Sequence, residues 1–276
     1  MKVGLTLPSF VTEPTELVTV ARAAESVGID GVFVYDHLFR VDAGGHRRPA
    51  IACVAALGAV AAATERIRIG TLVARASLRP PAALAAALET VARLAPGRLV
   101  AGIGAGDAAS QDENDTFGVP APTAGDRVGA LRAAVAAARD RGFPVWVAGG
   151  SPAVRRVAAL DADGWNQWGS TPAVFGRHAA ALRRDAARSP FACTWGGLVL
   201  VAADDDDARE QARRIGPDPS TIVGGPDRVA DGLAGYARAG ADWVIAGPVS
   251  ARDPGQAALL GEEVAPRLRA SAAALA

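Results

Sequence analysis

Eight short apolar runs recur along this chain, nearly every one followed by glycines or polar groups and each divided from the next by an Ala-, Leu- and Arg-rich stretch. The runs are Val3–Leu7, Val32–Tyr35, Ile67–Gly70, Leu99–Ile103, Val145–Ala148, Trp165–Trp168, Ala192–Val201 and Trp243–Ala246. A run such as Val32–Tyr35 is too apolar for a strand with one wet face and too short for a helix. It therefore reads as a parallel strand covered on both sides. The stretches between, Glu13–Val27, Ala50–Thr64, Pro81–Leu94, Ala124–Arg139, Ala153–Leu160, Ala173–Ala187, Asp204–Ile215 and Pro226–Ala239, are helix-like, and several open on Pro, Thr or Asp and close at Gly. Strict alternation implies parallel strands with crossover helices, and eight repeats imply closure into a (β/α)8 TIM barrel. The same alternation also fits an open doubly wound sheet.

The 276 residues suit one barrel domain spanning 1–276, with loop insertions after strands 2, 4 and 7. These insertions are Leu38–Pro49, Gly104–Pro122 and Gly216–Gly225; the first two belong to the rim where such barrels keep their chemistry. The alanine-rich tail after Ala265 is expected to close as a helix or fray. With 29 basic against 29 acidic residues, no general electrostatic argument favours nucleic acid or an anionic membrane. Cys53 and Cys193 fit neither a disulfide framework nor a metal motif and read as small buried hydrophobes. The first residues have no signal-peptide core and no run is long enough to span a bilayer, so a cytoplasmic protein is expected.

Gly102-Ile-Gly-Ala-Gly106-Asp107 has the wrong spacing for a dinucleotide fingerprint, and polar sequence follows it where a helix is required. It reads as a strand end where missing side chains let a flat ligand approach, or as a plain tight turn. Val145-Trp-Val-Ala-Gly149-Gly150-Ser151-Pro152 sits between strand and helix, and the amides of Ala148 to Ser151 with the helix dipole make a phosphate cradle. A tight turn with Ser151 as N-cap is the alternative. Asp36 and His37 are adjacent, so strand alternation sends them to opposite sides and gives them separate tasks. His178 is expected on a solvated helix face and His46 in an exposed basic loop. Glu25, near the end of the first helix, is expected to cap or to pair with Arg22 one helical turn away. Asp204–Asp207 reads as acids at the positive end of a helix, not as a metal site.

Taken together, Ala24-Glu25 through Gly28-Ile-Asp-Gly-Val-Phe-Val-Tyr-Asp36-His37, Thr64-Glu-Arg66-Ile-Arg-Ile-Gly70-Thr71-Leu-Val73, and Pro96-Gly97-Arg98 through Gly106 resemble the bacterial luciferase-like superfamily. Val145–Ser151 and Asp161-Ala-Asp163-Gly164-Trp165 extend the likeness. The resemblance implies a (β/α)8 barrel binding FMN or the deazaflavin coenzyme F420 at its C-terminal rim, and the chain is most similar to the F420-dependent oxidoreductases. It implies hydride transfer between F420 and a small organic substrate, with His37 and Asp107 catalytic and Asp36 against the ring. Thr71, Leu72 and Val73 would back the ring in a bulge, often with a non-prolyl cis peptide at Leu72–Val73. Gly104, Ala105 and Gly106 would line the ring and ribityl chain, and Ala148, Gly149 and Gly150 would hold the phosphate. Asp107 stands where several sugar-phosphate-oxidising members carry Glu, and Arg79 where many carry His, which leaves the substrate open. The other readings are an FMN-dependent monooxygenase and a non-catalytic flavin- or deazaflavin-binding protein. The apolar helices suit a homodimer.

Overall fold

A computed structural model describes residues 1–41, 44–106, 110–120 and 123–273. Its strands are β1 (Lys2–Thr6), β2 (Gly31–Val34), β3 (Phe39–Val41), β4 (Arg47–Pro49), β5 (Arg68–Arg75), β6 (Leu99–Gly104), β7 (Val145–Ala148), β8 (Gly164–Trp168), β9 (Ala192–Val201), β10 (Ile222–Gly224) and β11 (Trp243–Pro248). Eight of them run parallel in the order β11-β1-β2-β5-β6-β7-β8-β9, and β9 pairs back onto β11, closing the barrel. The open-sheet alternative is thereby excluded. The short β10 adds to the outer part of β9, and β3 with β4 forms an antiparallel hairpin of its own.

Phe33 on β2, Trp146 on β7 and Trp243 on β11 meet with ring centroids 5.7 to 6.0 Å apart although their strands are not neighbours, so they touch across the barrel interior. Glycines on adjacent strands make the room. A Cβ on Gly70 would lie 2.9 Å from the Phe33 ring, and one on Gly164 2.7 Å from Trp146. The aliphatic outer faces of the strands, such as Val3, Leu5, Val32 and Ile69, bury against the helices. Proline opens the helices Pro81–Leu94, Pro152–Asp161, Pro172–Asp185 and Pro226–Arg238, where its missing N–H costs nothing.

The N-terminal face is tied by one device used three times. Asp30, Asp163 and Asp242 each stand just before a strand, and each exchanges two bonds with the first residues of a neighbouring strand. The carboxylates accept the amides of Val3, Val145 and Cys193 at 2.8, 2.9 and 2.7 Å. The aspartate amides donate back to the carbonyls of those same residues at 2.9, 2.8 and 2.8 Å. Arg269, Arg188 and Arg183 complete the three sites. Glu25 works similarly: it accepts the amides of Glu65, Arg66 and Ile67 instead of pairing with Arg22, whose Nε donates to the Ala63 carbonyl. Three donated N–H groups outbid a single exposed ion pair.

Two segments differ from the sequence expectation, and the C-terminal tail takes one of its two expected forms. The strand expected to stop at Gly70 runs on to Arg75, with a register shift between Thr71 and Ala74 and a cis Leu72–Val73 peptide, as the resemblance implied. The polar stretch after β6 contains a helix, Gln111–Phe117, closed by Gly118 in the left-handed conformation. The C-terminal stretch forms a closing helix, Ala265–Ala273, with Leu268 fully buried. Asp204 caps Asp205–Ile215 through the amides of Asp206 and Asp207, and both cysteines are buried and free.

Candidate active site

The C-terminal ends of the strands open onto two adjoining cavities of about 410 and 390 Å³ that share Phe10, Tyr35, Arg40, Val41 and Leu198. His37, Glu113 and Trp168 line the first. His37 follows β2, and its Nδ1 lies 2.6 Å from Glu113 Oε1. Glu113 Oε2 accepts the Leu38 amide at 2.8 Å and Arg75 Nη2 at 3.2 Å. Glu113 and Arg75 are nearly buried, with side chains 8% and 5% exposed, while His37 is 35% exposed. In the neutral ring, a carboxylate opposite Nδ1 fixes the tautomer, with the hydrogen on Nδ1 and Nε2 an acceptor that has no partner among the described residues. Aromatic rings enclose the imidazole, Phe10 at 5.6 Å and Tyr35 at 6.4 Å between centroids. Tyr35 donates to Thr6 Oγ1, and burial pushes its phenol up to about 12.

Asp36 and His37 diverge, as alternation requires. The Asp36 carboxylate accepts Arg79 twice, at 2.6 and 3.0 Å, and the Arg75 amide at 3.0 Å. Its side chain is 1% exposed, so it braces the loop after β5 instead of facing a ring in the cavity. Its charge holds Arg79 above the usual guanidinium range, and burial together with Asp36 pushes the neighbouring Cys53 thiol up. Thr71 departs from expectation for a similar reason: it is fully buried and its hydroxyl donates to the Gly102 carbonyl at 2.6 Å.

The glycines of β6 also have a structural cause. A Cβ on Gly102 would sit 2.1 Å from the Thr71 carbonyl oxygen, and one on Gly104 2.4 Å from Val73 Cγ2. These missing side chains admit the bulge of β5. Leu72 is buried, Val73 half-buried, and Ala105 and Gly106 continue the rim beside them. Asp107 lies outside the described residues.

After β7, Ser151 caps the helix Pro152–Asp161 by accepting the Val154 amide. The Gly149 amide donates to Asn166, which removes it from the expected cradle. The amides of Gly150 and Ser151 have no acceptor among the described residues, and both residues are exposed. Ala148 is half-buried beside them at the end of β7. His178 is not simply solvated: Nδ1 meets Gln167 Oε1 at 2.9 Å and Nε2 meets Arg155. Burial, then the charges of Arg155 and Arg177, hold its pKa below the usual imidazole value. His46 is exposed.

Sequence reading missed Glu113, Arg75 and Trp168. The acid-rich Gln111–Phe117 stretch was the available signal for Glu113, but only the fold brings it 76 residues back to His37. Trp168 ends β8 and lies flat on Gly196 and Gly247, whose Cβ atoms would come within 2.6 and 2.8 Å of its ring; it stays 40% exposed. Among the described residues no helix is long and apolar enough to cross a membrane. No group of three or more His, Cys, Asp or Glu among them is placed to hold a metal.

Comparison with known proteins matches the luciferase-like monooxygenase family model over residues 1–138 and 130–219. An F420-dependent glucose-6-phosphate dehydrogenase of Intrasporangium calvum is 34% identical over 194 residues, which cover 60% of this chain and 57% of that protein. The enzyme of the same name from Beutenbergia cavernae is 34% identical over 181 residues, 55% of this chain and 52% of that protein. The chain thus spans little more than half the length of these curated relatives. Among solved structures, an F420-dependent secondary alcohol dehydrogenase bound to an F420–acetone adduct superposes with a TM-score of 0.80 at 19% identity, covering 97% of this chain and 99% of that one. A monooxygenase from Streptomyces bottropensis superposes at 0.75 with 19% identity over 96% and 99% of the two chains. These likenesses establish the fold.

Proposed function

The chain belongs to the luciferase-like monooxygenase family, and on that premise we propose that it is a coenzyme F420-dependent oxidoreductase moving a hydride between the deazaflavin and a small organic substrate. The observation that carries the proposal is the His37–Glu113 pair, which holds Nδ1 and leaves Nε2 without a partner among the described residues on a side chain that lines the rim cavity. The F420 dependence named for its relatives supplies the cofactor.

The residues present fit such a group. Two unaccepted amides at the N-terminus of a ten-residue helix, Gly150 and Ser151, match a phosphate. Leu72 and Val73 at the bulge of β5 and Ala105 and Gly106 after β6 offer an apolar backing, and the adjoining cavities have the size of a small-ligand site. A bound deazaflavin supplies a ring carbon able to carry or release a hydride. His37 does the proton work. When a substrate hydroxyl becomes a carbonyl, Nε2 takes the hydroxyl proton as the carbon loses its hydride, and in reverse the imidazolium returns it. Glu113 keeps Nδ1–H in place and stabilises the imidazolium, while Phe10, Tyr35 and Trp168 keep water from the reacting face.

The test is a fluorescence titration of the purified protein with F420 and separately with FMN, followed by turnover assays including glucose 6-phosphate. Selective F420 binding is expected. His37→Ala should cut turnover by about 10²- to 10⁴-fold with F420 affinity retained. Preference for reduced FMN with oxygen uptake would replace this reading with a flavin monooxygenase.

A further inference from the structure

The two rim cavities sit over one sector of the barrel mouth. The second is lined by the ends of β1 and β11 and by the β3–β4 hairpin, away from the β5 bulge and the Gly150–Ser151 amides. Charge in this sector is almost fully matched. Arg252 is clasped twice by Glu16, Arg47 by Asp112, and Glu113 by Arg75 and His37. Arg40 is the exception. It lines both cavities, is exposed, and rests its guanidinium over the Phe10 ring at 5.7 Å, with no carboxylate partner among the described residues. Its charge reaches the cavity interior, since it pulls on the Tyr35 phenol against the upward push of burial. The walls around it are Phe10, Tyr35, Trp168 and Leu198, planar or apolar surfaces.

A lone guanidinium at the edge of an aromatic cavity recognises an anionic group on a planar or apolar body, through bidentate charge-assisted bonds. We propose that Arg40 is the substrate-anchoring residue and that the substrate is a small organic anion held over the β11–β1–β2 sector, its reactive end directed to His37. The proposal rests on the oxidoreductase reading and names the substrate class for it.

Benzoate and its neutral isostere benzamide are suitable probes, and Trp168 is the reporter. It is 40% exposed, whereas the other four tryptophans are at most 4% exposed. Titrated without cofactor, benzoate should quench tryptophan emission saturably and benzamide should bind at least tenfold more weakly. Arg40→Gln should weaken benzoate by about 10- to 100-fold, leave benzamide unchanged, and leave F420 affinity unchanged. Trp168→Phe should remove the signal, placing the probe in this cavity. Equal binding of the two probes, benzoate affinity within twofold in Arg40→Gln, or displacement of benzoate by saturating F420 would each overturn the proposal. A failure to bind F420 would sink the oxidoreductase reading alone, because the benzoate titration needs no cofactor.

Discussion

Replacing Glu113 with Gln removes one negative charge and changes almost no volume, so its effects trace to the bonds described. The amide keeps one acceptor oxygen, and its NH₂ must face either the Leu38 N–H and Arg75, which share Oε2, or His37 Nδ1 at Oε1. Facing Arg75, it strands a guanidinium that is 5% exposed and otherwise holds only a long contact to Asn114 Oδ1 at 3.5 Å. Facing His37, it donates to Nδ1 and forces the hydrogen onto Nε2, the tautomer that cannot accept a substrate proton. Breaking a buried ion pair by removing one partner costs about 3–5 kcal/mol, and the remaining Asn114 contact places this case near ~3 kcal/mol. At roughly 2 °C per kcal/mol for a domain of this size, Tm should fall by ~6 °C. The tautomer can be read directly by ¹⁵N-correlated NMR of the imidazoles, since the chain has only three histidines. Turnover should fall by at least ~10²-fold. A variant with unchanged Tm and with Nδ1–H still present on His37 would refute the account of this pair.

Two glycine substitutions should separate packing from propensity. Gly102→Ala drives a Cβ into the Thr71 carbonyl at 2.1 Å and should cost about 3 kcal/mol or more, whereas Gly58→Ala, in the helix Cys53–Ala63 with nothing within 4 Å, should gain about 0.5–1 kcal/mol; denaturant midpoints decide both. Burial and the nearby arginines hold the folded His178 pKa below the usual imidazole value, so the unfolded chain binds its proton more readily and native stability drops as pH falls through that range. His178→Gln should flatten this slope between pH 8 and pH 5 in urea unfolding, and an unchanged slope would mean that neither burial nor Arg155 and Arg177 act on the ring.

The barrel was legible because buried parallel strands are written as continuous apolar runs, and the helix boundaries because proline and glycine punctuate them. Closure was not, since it depends on β8, β9 and β11 meeting in space. At the site, the divergence of Asp36 and His37 followed from strand alternation alone. The partners of those two residues did not, because Glu113 arrives from a helix 76 residues away and Arg79 from a loop 43 residues away. Gly102 and Gly104 have a packing role that the sequence does not display. A missing side chain looks the same in sequence whether a ligand or the next strand fills the space, and here Thr71 and Val73 fill it.

The triple aspartate device on the N-terminal face bears on how such a chain can change. Asp30, Asp163 and Asp242 set the pairing of β1 with β2, of β7 with β8 and of β9 with β11 from the end opposite the cavities. The hairpin of β3 and β4 and the Gln111–Phe117 helix, which furnish Arg40's surroundings and Glu113, take no part in that alignment. New loops grafted onto the upper rim would therefore inherit a frame already in register, leaving substrate preference free to diverge while the foundation stays fixed.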